Sequence, residues 1–201
     1  MKILTIADEP NKYLWSAEVR EALDGVDMII SCGDLPAEYL DYLATFTAAP
    51  VFYVHGNHDQ AYEENPPTGC VCIDDKIVTY KGIRLLGLGG SIRYNNDSQF
   101  QYTQKQMRHR VRKLALQLRL RKGFDILVTH SGAFGLGDDD DRAHVGFEVF
   151  LELIDKWHPS FFIHGHSHLN YSTKNKRLTY RDKTQVINAY EKYYFDLIND
   201  K

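Results

Sequence analysis

Apolar residues gather in short runs that stop at a polar residue or a glycine. The first, residues 2–7, ends at Asp8; the second, Val26 to Cys32, ends at Gly33-Asp34; the third, Pro50 to Val54, ends at His55-Gly56-Asn57-His58-Asp59. Short continuous runs of this kind predict strands buried on both faces. Between them, residues 12–24 predict a helix with Leu14, Val19, Ala22 and Leu23 on its apolar face, and Pro36 opens a second helix carrying Tyr39, Leu40 and Leu43. Strands alternating with helices imply parallel pairing through helical crossovers.

The second half repeats the pattern with variations. Residues 76–89 predict a hairpin about Lys81-Gly82. Residues 103–122 predict one long helix with a stripe of Met107, Val111, Leu114 and Leu118. Asp125 to Thr129 is a strand ended by His130, residues 145–156 a helix, and Ser160 to His164 a strand ended by Gly165-His166-Ser167-His168. From about Arg177 to Ile198 the chain alternates like a strand, and Tyr190, Tyr193 and Tyr194 are expected to pack on the second sheet. The expected fold class is α/β, with two packed central sheets flanked by helices. With no repeat, linker or compositional break, residues 1–201 read as a single domain.

Charge and cysteine content narrow the picture. A formal net charge of −3 gives the whole molecule no bias toward nucleic acid or acidic membranes. No apolar stretch approaches the roughly 18 residues of a membrane span, and the first run is too short for a signal peptide, so a cytoplasmic protein is expected. Three cysteines at uneven spacing argue against a secreted disulfide framework. Cys70 and Cys72 lack a second pair to complete a zinc cage and read as loop and strand thiols, and Cys32 as a small buried residue.

Five strand ends carry side chains able to bind metal: Asp8, Asp34, Asn57, His130 and the pair His166/His168. Neighbouring parallel strands deliver such side chains to one rim. Carboxylate, amide oxygen and imidazole together suit Mn, Fe or Zn, and a carboxylate such as Asp34 can bridge two ions about 3.5–4 Å apart. Each end taken alone is an ordinary turn or a surface histidine. Five in order are not explained as turns.

The series Asp8, Gly33-Asp34, Gly56-Asn57-His58-Asp59, His130, Gly165-His166-Ser167-His168 resembles the calcineurin-like metallophosphoesterase superfamily, from residue 3 to about 190. Thr129-His130-Ser131 followed by His144-Val145-Gly146 resembles its branch of small metallophosphoesterase-domain phosphodiesterases. The resemblance implies a four-layer sandwich and two divalent metal ions, Mn in first place with Fe or Zn as alternatives. It implies that Asp34 bridges the ions, that Asn57, His130 and His166 complete one site, and that Asp8 and His168 serve the other. His58 would protonate the leaving oxygen, with Asp59 orienting its ring, while a metal-activated hydroxide attacks phosphorus. The family's first motif is Asp-x-His, whereas this chain has Asp8-Glu9-Pro10. The Asp8/His168 site therefore lacks one imidazole, leaving water, Glu9 or weak metal binding in its place. The implied function is a phosphodiesterase acting on a small phosphodiester or nucleotide-like substrate. The alternatives are a nuclease or nucleic-acid-processing factor and a non-catalytic metal-binding interaction protein of the same fold.

Other features allow two readings each. The basic residues of 103–122, among them Arg108, Arg110 and Arg112, could track phosphates or form a solvated face balanced by acids elsewhere. Asp138 to Asp141 could bind a cation or screen substrates at the cleft; the plainer reading is a mobile solvated loop. His144 could contact substrate or be structural. Arg93 could clamp phosphate or pair with the acidic loop. His55 and His164 read as supports hydrogen-bonded to neighbouring ligands.

Overall fold

Every buried run becomes a strand in the computed structural model, which describes residues 1–95, 99–170 and 175–197. The first sheet has the order β13-β1-β2-β3-β4, with β1 Lys2–Ile6, β2 Met28–Ser31, β3 Val51–Tyr53, β4 Val71–Cys72 and β13 Tyr193–Asp196. The second has the order β11-β12-β10-β9-β6-β5, with β5 Lys76–Tyr80, β6 Ile83–Leu88, β9 Ile126–Thr129, β10 Phe161–His164, β11 Leu178–Arg181 and β12 Thr184–Asn188. A small ribbon pairs β7 Ser91–Ile92 with β8 Gln101–Tyr102. The helices are α1 Val19–Ala22, α2 Ala37–Thr45, α3 Gln104–Lys113, α4 Ala115–Leu120 and α5 Glu148–Trp157, with a 3₁₀ turn at Asp59–Glu63.

Residue alternation explains the layers. Along β2, Met28 and Ile30 face inward between the sheets while Ile29 packs outward under α1 and α2. Along β9, Ile126 and Val128 face inward and Leu127 packs under α3, α4 and α5. Both faces of each central strand are thus apolar, which is why these strands read as unbroken runs. The result is the expected α/β sandwich, two sheets with helices outside. Among the described residues no helix is long and apolar enough to cross a membrane.

Parallel pairing sets the functional rim. β1, β2, β3 and β4 run parallel, as do β6, β9, β10 and β12, so their carboxyl ends open together. The hairpin β5–β6 turns at Lys81 and Gly82, both with positive φ, as a tight two-residue turn requires.

Several expectations need correction. The 12–24 helix shrinks to α1, and the 103–122 helix is split at Leu114. Tyr193 and Tyr194 lie on β13, which pairs antiparallel with β1 and so belongs to the first sheet, not the second. Alternation identifies a strand but not the sheet that receives it. Ile198, the end of the expected tail, lies outside the described residues. The acidic run makes hydrogen bonds to the segments around it: Asp138 accepts from the Gly146 N–H at 2.9 Å, Asp139 from the Asn175 amide at 2.9 Å, and Asp141 from the Ala143 N–H at 2.8 Å.

Candidate metal centre

The first sheet supplies Asp8 after β1, Asp34 after β2, and Asn57 and His58 after β3. The second supplies His130 after β9 and His166 and His168 after β10. Asp8, Asp34 and His166 have φ of 68°, 57° and 67°, a left-handed backbone that costs free energy in non-glycine residues and persists where surrounding contacts enforce it. Around Asp8, the Glu9 N–H donates to the Ala7 carbonyl at 2.7 Å, and around His166 the Ser167 N–H donates to the Gly165 carbonyl at 2.8 Å. The two tight turns meet: the His166 N–H donates to both Asp8 carboxylate oxygens, 3.0 Å each.

Glycine makes the approach of the other loops possible. A Cβ at Gly56 would lie 2.0 Å from Asp34 Oδ1, and one at Gly33 would lie 2.1 Å from the Gly56 nitrogen. With that space clear, the His58 N–H donates to Asp34 Oδ1 at 2.7 Å. Asp59 is buried, and its Oδ2 accepts from the Gly56 N–H at 2.7 Å and the Asp34 N–H at 2.9 Å. The expected role for Asp59, orienting the His58 ring, is therefore corrected: its hydrogen bonds hold the two ligand loops together.

His130 is fully buried, and its Nδ1–H donates to the Cys32 carbonyl at 2.7 Å. That bond aims Nε2 at Asn57 Oδ1, 2.9 Å away, and at Asp34 Oδ2, 3.3 Å away. Asp34, His130 and His166 offer donor atoms that all lie within 4.8 Å of one another. An imidazole nitrogen and two oxygens converging at these distances make a donor set that a divalent cation can take. The electrostatics agree. Burial pushes the Asp8 carboxyl up to about 7, with the charge of Asp34 adding to the shift and His130 opposing it. Burial likewise pushes Asp59 up to about 6, again with help from Asp34. Burial would raise Asp34 too, but His130 beside it holds it below the usual carboxylate range. Burial and the neighbouring His130 keep His166 neutral, the form that binds metal. Burial would lower His130, but the charges of Asp34 and Asp8 raise it to about 9, so crowded buried carboxylates draw positive charge into this site, as a divalent cation would supply it.

The rim encloses a cavity of about 450 Å³ lined by Asp8, Asp34, Asn57, His58, Tyr94, Ala143, His144, His166 and His168. His130 sits behind this wall, its ring 4.7 Å from that of His166. All six candidate ligands thus meet at one place, with the exposed His58 at the cavity wall. Glu9 turns the same way, its carboxylate 3.8 Å from His168 Nδ1.

Some expectations do not land there. Arg93 points away and donates to the Gln101 carbonyl at 3.1 Å. Its neighbour Tyr94, not singled out by the sequence reading, enters the cavity and accepts from the Asn57 amide at 3.2 Å. His144 does line the cavity, its Nδ1 2.7 Å from Asp141 Oδ2 and its ring 4.6 Å from His166. His164 bonds the Gly165 carbonyl at 3.1 Å, and His55 pairs with Asp74; neither of these bonds goes to a candidate ligand.

A two-sheet α/β sandwich with imidazoles and carboxylates converging at its strand ends has the donors to hold a metal ion. The chain belongs to the calcineurin-like phosphoesterase superfamily, whose domain model matches residues 1–189, and this is a superfamily of metal-dependent phosphoesterases. One solved structure is similar over 97% of this chain and 94% of its own, with 16% identity and a TM-score of 0.71. The protein TT1561 of Thermus thermophilus is similar over 94% of this chain and 89% of its own, with 15% identity and a TM-score of 0.61. At those identities the likeness is one of fold. No curated protein matches the chain.

Proposed function

We propose that this protein is a phosphodiesterase that uses two divalent cations, Mn²⁺ foremost with Fe or Zn as alternatives, on a small phosphodiester or nucleotide-like substrate. The observation that carries the reading is the cluster of Asp34, His130 and His166, with donor atoms within 4.8 Å of one another, beside a cavity that also holds His58. In this reading Asn57, His130 and His166 hold one ion, Asp8 and His168 the other, and Asp34 both. Glu9 is the group at hand where Pro10 offers no ligand. When bound, the ions supply Lewis acidity and lower the pKa of coordinated water.

The remaining chemistry belongs to the protein. His58 is exposed at the cavity wall and anchored through its own N–H to Asp34, so its imidazole can give a proton to the leaving oxygen. His144, held by Asp141, presents a second imidazole to a bound phosphate. Asp138 to Asp141 lie close by in sequence and favour a singly charged phosphodiester over a more highly charged monoester. Three free thiols fit the reducing cytoplasm, where we place the protein, and we read residues 1–201 as one domain.

The test is hydrolysis of bis(p-nitrophenyl) phosphate with added Mn²⁺. The wild type should turn over and Asp34→Asn should not, while His58→Ala should lose about 10²- to 10⁴-fold in kcat with its metal content intact. No turnover with Mn²⁺, Fe²⁺, Zn²⁺ or Ni²⁺ would leave a non-catalytic metal-binding protein.

A further inference from the structure

We propose that His55, Cys72 and Asp74 form a second cation site, separate from the strand-end centre and selective for a soft divalent ion such as Zn²⁺. His55 follows β3, Cys72 ends β4, and Asp74 bridges to Gly87 of β6, so the three residues sit where the first sheet passes into the second. Their donor atoms all lie within 4.8 Å of one another. His55 Nδ1 is 2.6 Å from Asp74 Oδ2 and 4.0 Å from Cys72 Sγ.

Three observations favour a cation over a simple ion pair. The first is donor type: the strand-end centre is all oxygen and nitrogen, whereas this cluster adds sulfur, and thiolate with imidazole selects Zn²⁺ over Mn²⁺ or Mg²⁺. The second is orientation. Asp74 Oδ1 accepts from the Gly89 N–H at 2.5 Å and faces Arg110 at 3.6 Å, which leaves Oδ2 turned to His55. The His55 ring is held by Phe100, stacked at 4.3 Å and 11°. Outer partners that fix ligands in this way are a regular part of metal sites. The third is access, since the side chains of His55 and Asp74 are 15% and 16% exposed.

A nucleophilic Cys–His–Asp relay does not fit. Sulfur and carboxylate both approach Nδ1, and a relay needs one on each ring nitrogen. Charge is balanced in the loaded site. The thiolate and Asp74 match the two charges of the ion, and Arg110 has its own partner in Asp75 at 2.9 Å. Binding would displace the thiol proton and the proton between His55 and Asp74.

Co²⁺ added to the full-length protein tests this without reference to turnover. We expect a thiolate-to-cobalt charge-transfer band in the near ultraviolet. It should be lost in Cys72→Ser and retained in Cys70→Ser and in Asp34→Asn. Absence of the band from the wild type at saturating Co²⁺, or its survival in Cys72→Ser, would overturn the proposal. Should Cys72→Ser not fold, alkylation of wild-type Cys72 by N-ethylmaleimide, mapped by mass spectrometry, decides the matter. Zn²⁺ should slow it at least about tenfold, and an unchanged rate would refute the site. Since Asp34→Asn should keep the band while losing turnover, failure here and failure of the phosphodiesterase reading are distinguishable.

Discussion

An amide side chain presents its oxygen to a metal in a fixed direction when another group holds its nitrogen. Tyr94 does this for Asn57: the Nδ2 group donates to the phenol oxygen at 3.2 Å while Oδ1 faces His130 at 2.9 Å. Removing the hydroxyl should loosen the hold on the amide nitrogen. Tyr94→Phe is therefore expected to weaken Mn²⁺ binding about tenfold with little change in fold stability. Calorimetric titration checks this, and an unaltered affinity would show that Asn57 is positioned without Tyr94. The six candidate ligands and His58 were legible because each follows a buried run, a pattern visible in one dimension. Tyr94 and the true partners of Asp59 were not. Arg93 drew attention by its charge, yet its guanidinium reaches the Gln101 carbonyl while Tyr94 enters the cavity. Asp59 binds a backbone N–H 25 residues away, at Asp34, and a backbone partner leaves no residue type to read.

Secondary elements were legible in proportion to how regular their polar surroundings are. The 12–24 segment has a helical apolar face, but its polar residues take the backbone partners. Asn11 Oδ1 accepts from the Tyr13 N–H at 3.2 Å, and the Ser16 hydroxyl donates to the Tyr13 carbonyl at 2.8 Å, so only Val19–Ala22 turns fully helical. The 103–122 segment splits at Leu114, whose N–H reaches the Val111 carbonyl at 3.1 Å in a tightened turn. Met107, Leu114 and Leu118 stay buried across the split, so the apolar spacing does not register it. The start of α3 is well marked. Thr103 accepts from the Gln106 N–H at 3.2 Å, and the Gln106 side chain accepts from the Thr103 N–H at 2.8 Å. Thr103→Ala should cost about 1 kcal/mol in urea unfolding and leave turnover unchanged. A loss of activity would mean that α3 contributes to the cavity.

For the whole molecule, charge and layer order matter more than any one contact. The basic helix is matched by acids: Arg108 meets Glu148 and Glu152 on α5, and Arg110 meets Asp75, which favours the plainer reading of that face. The two-sheet arrangement was legible from the runs, but the return of β13 to β1 was not, because strand exchange between sheets depends on three-dimensional closure. One consequence of the layout concerns the rim. Asp8, Asp34 and Asn57 come from one sheet and His130, His166 and His168 from the other, so an ion bound there fastens the halves of the sandwich together. Mn²⁺ at a hundredfold excess over its Kd should add about 2.7 kcal/mol of stability. A chelator should lower the melting temperature of the wild type but not of Asp34→Asn, and a chelator-insensitive wild type would refute the fastening. Metal supply would then set the protein's lifetime as well as its activity, because a cell short of the ion would hold a looser molecule, opened more often to proteases.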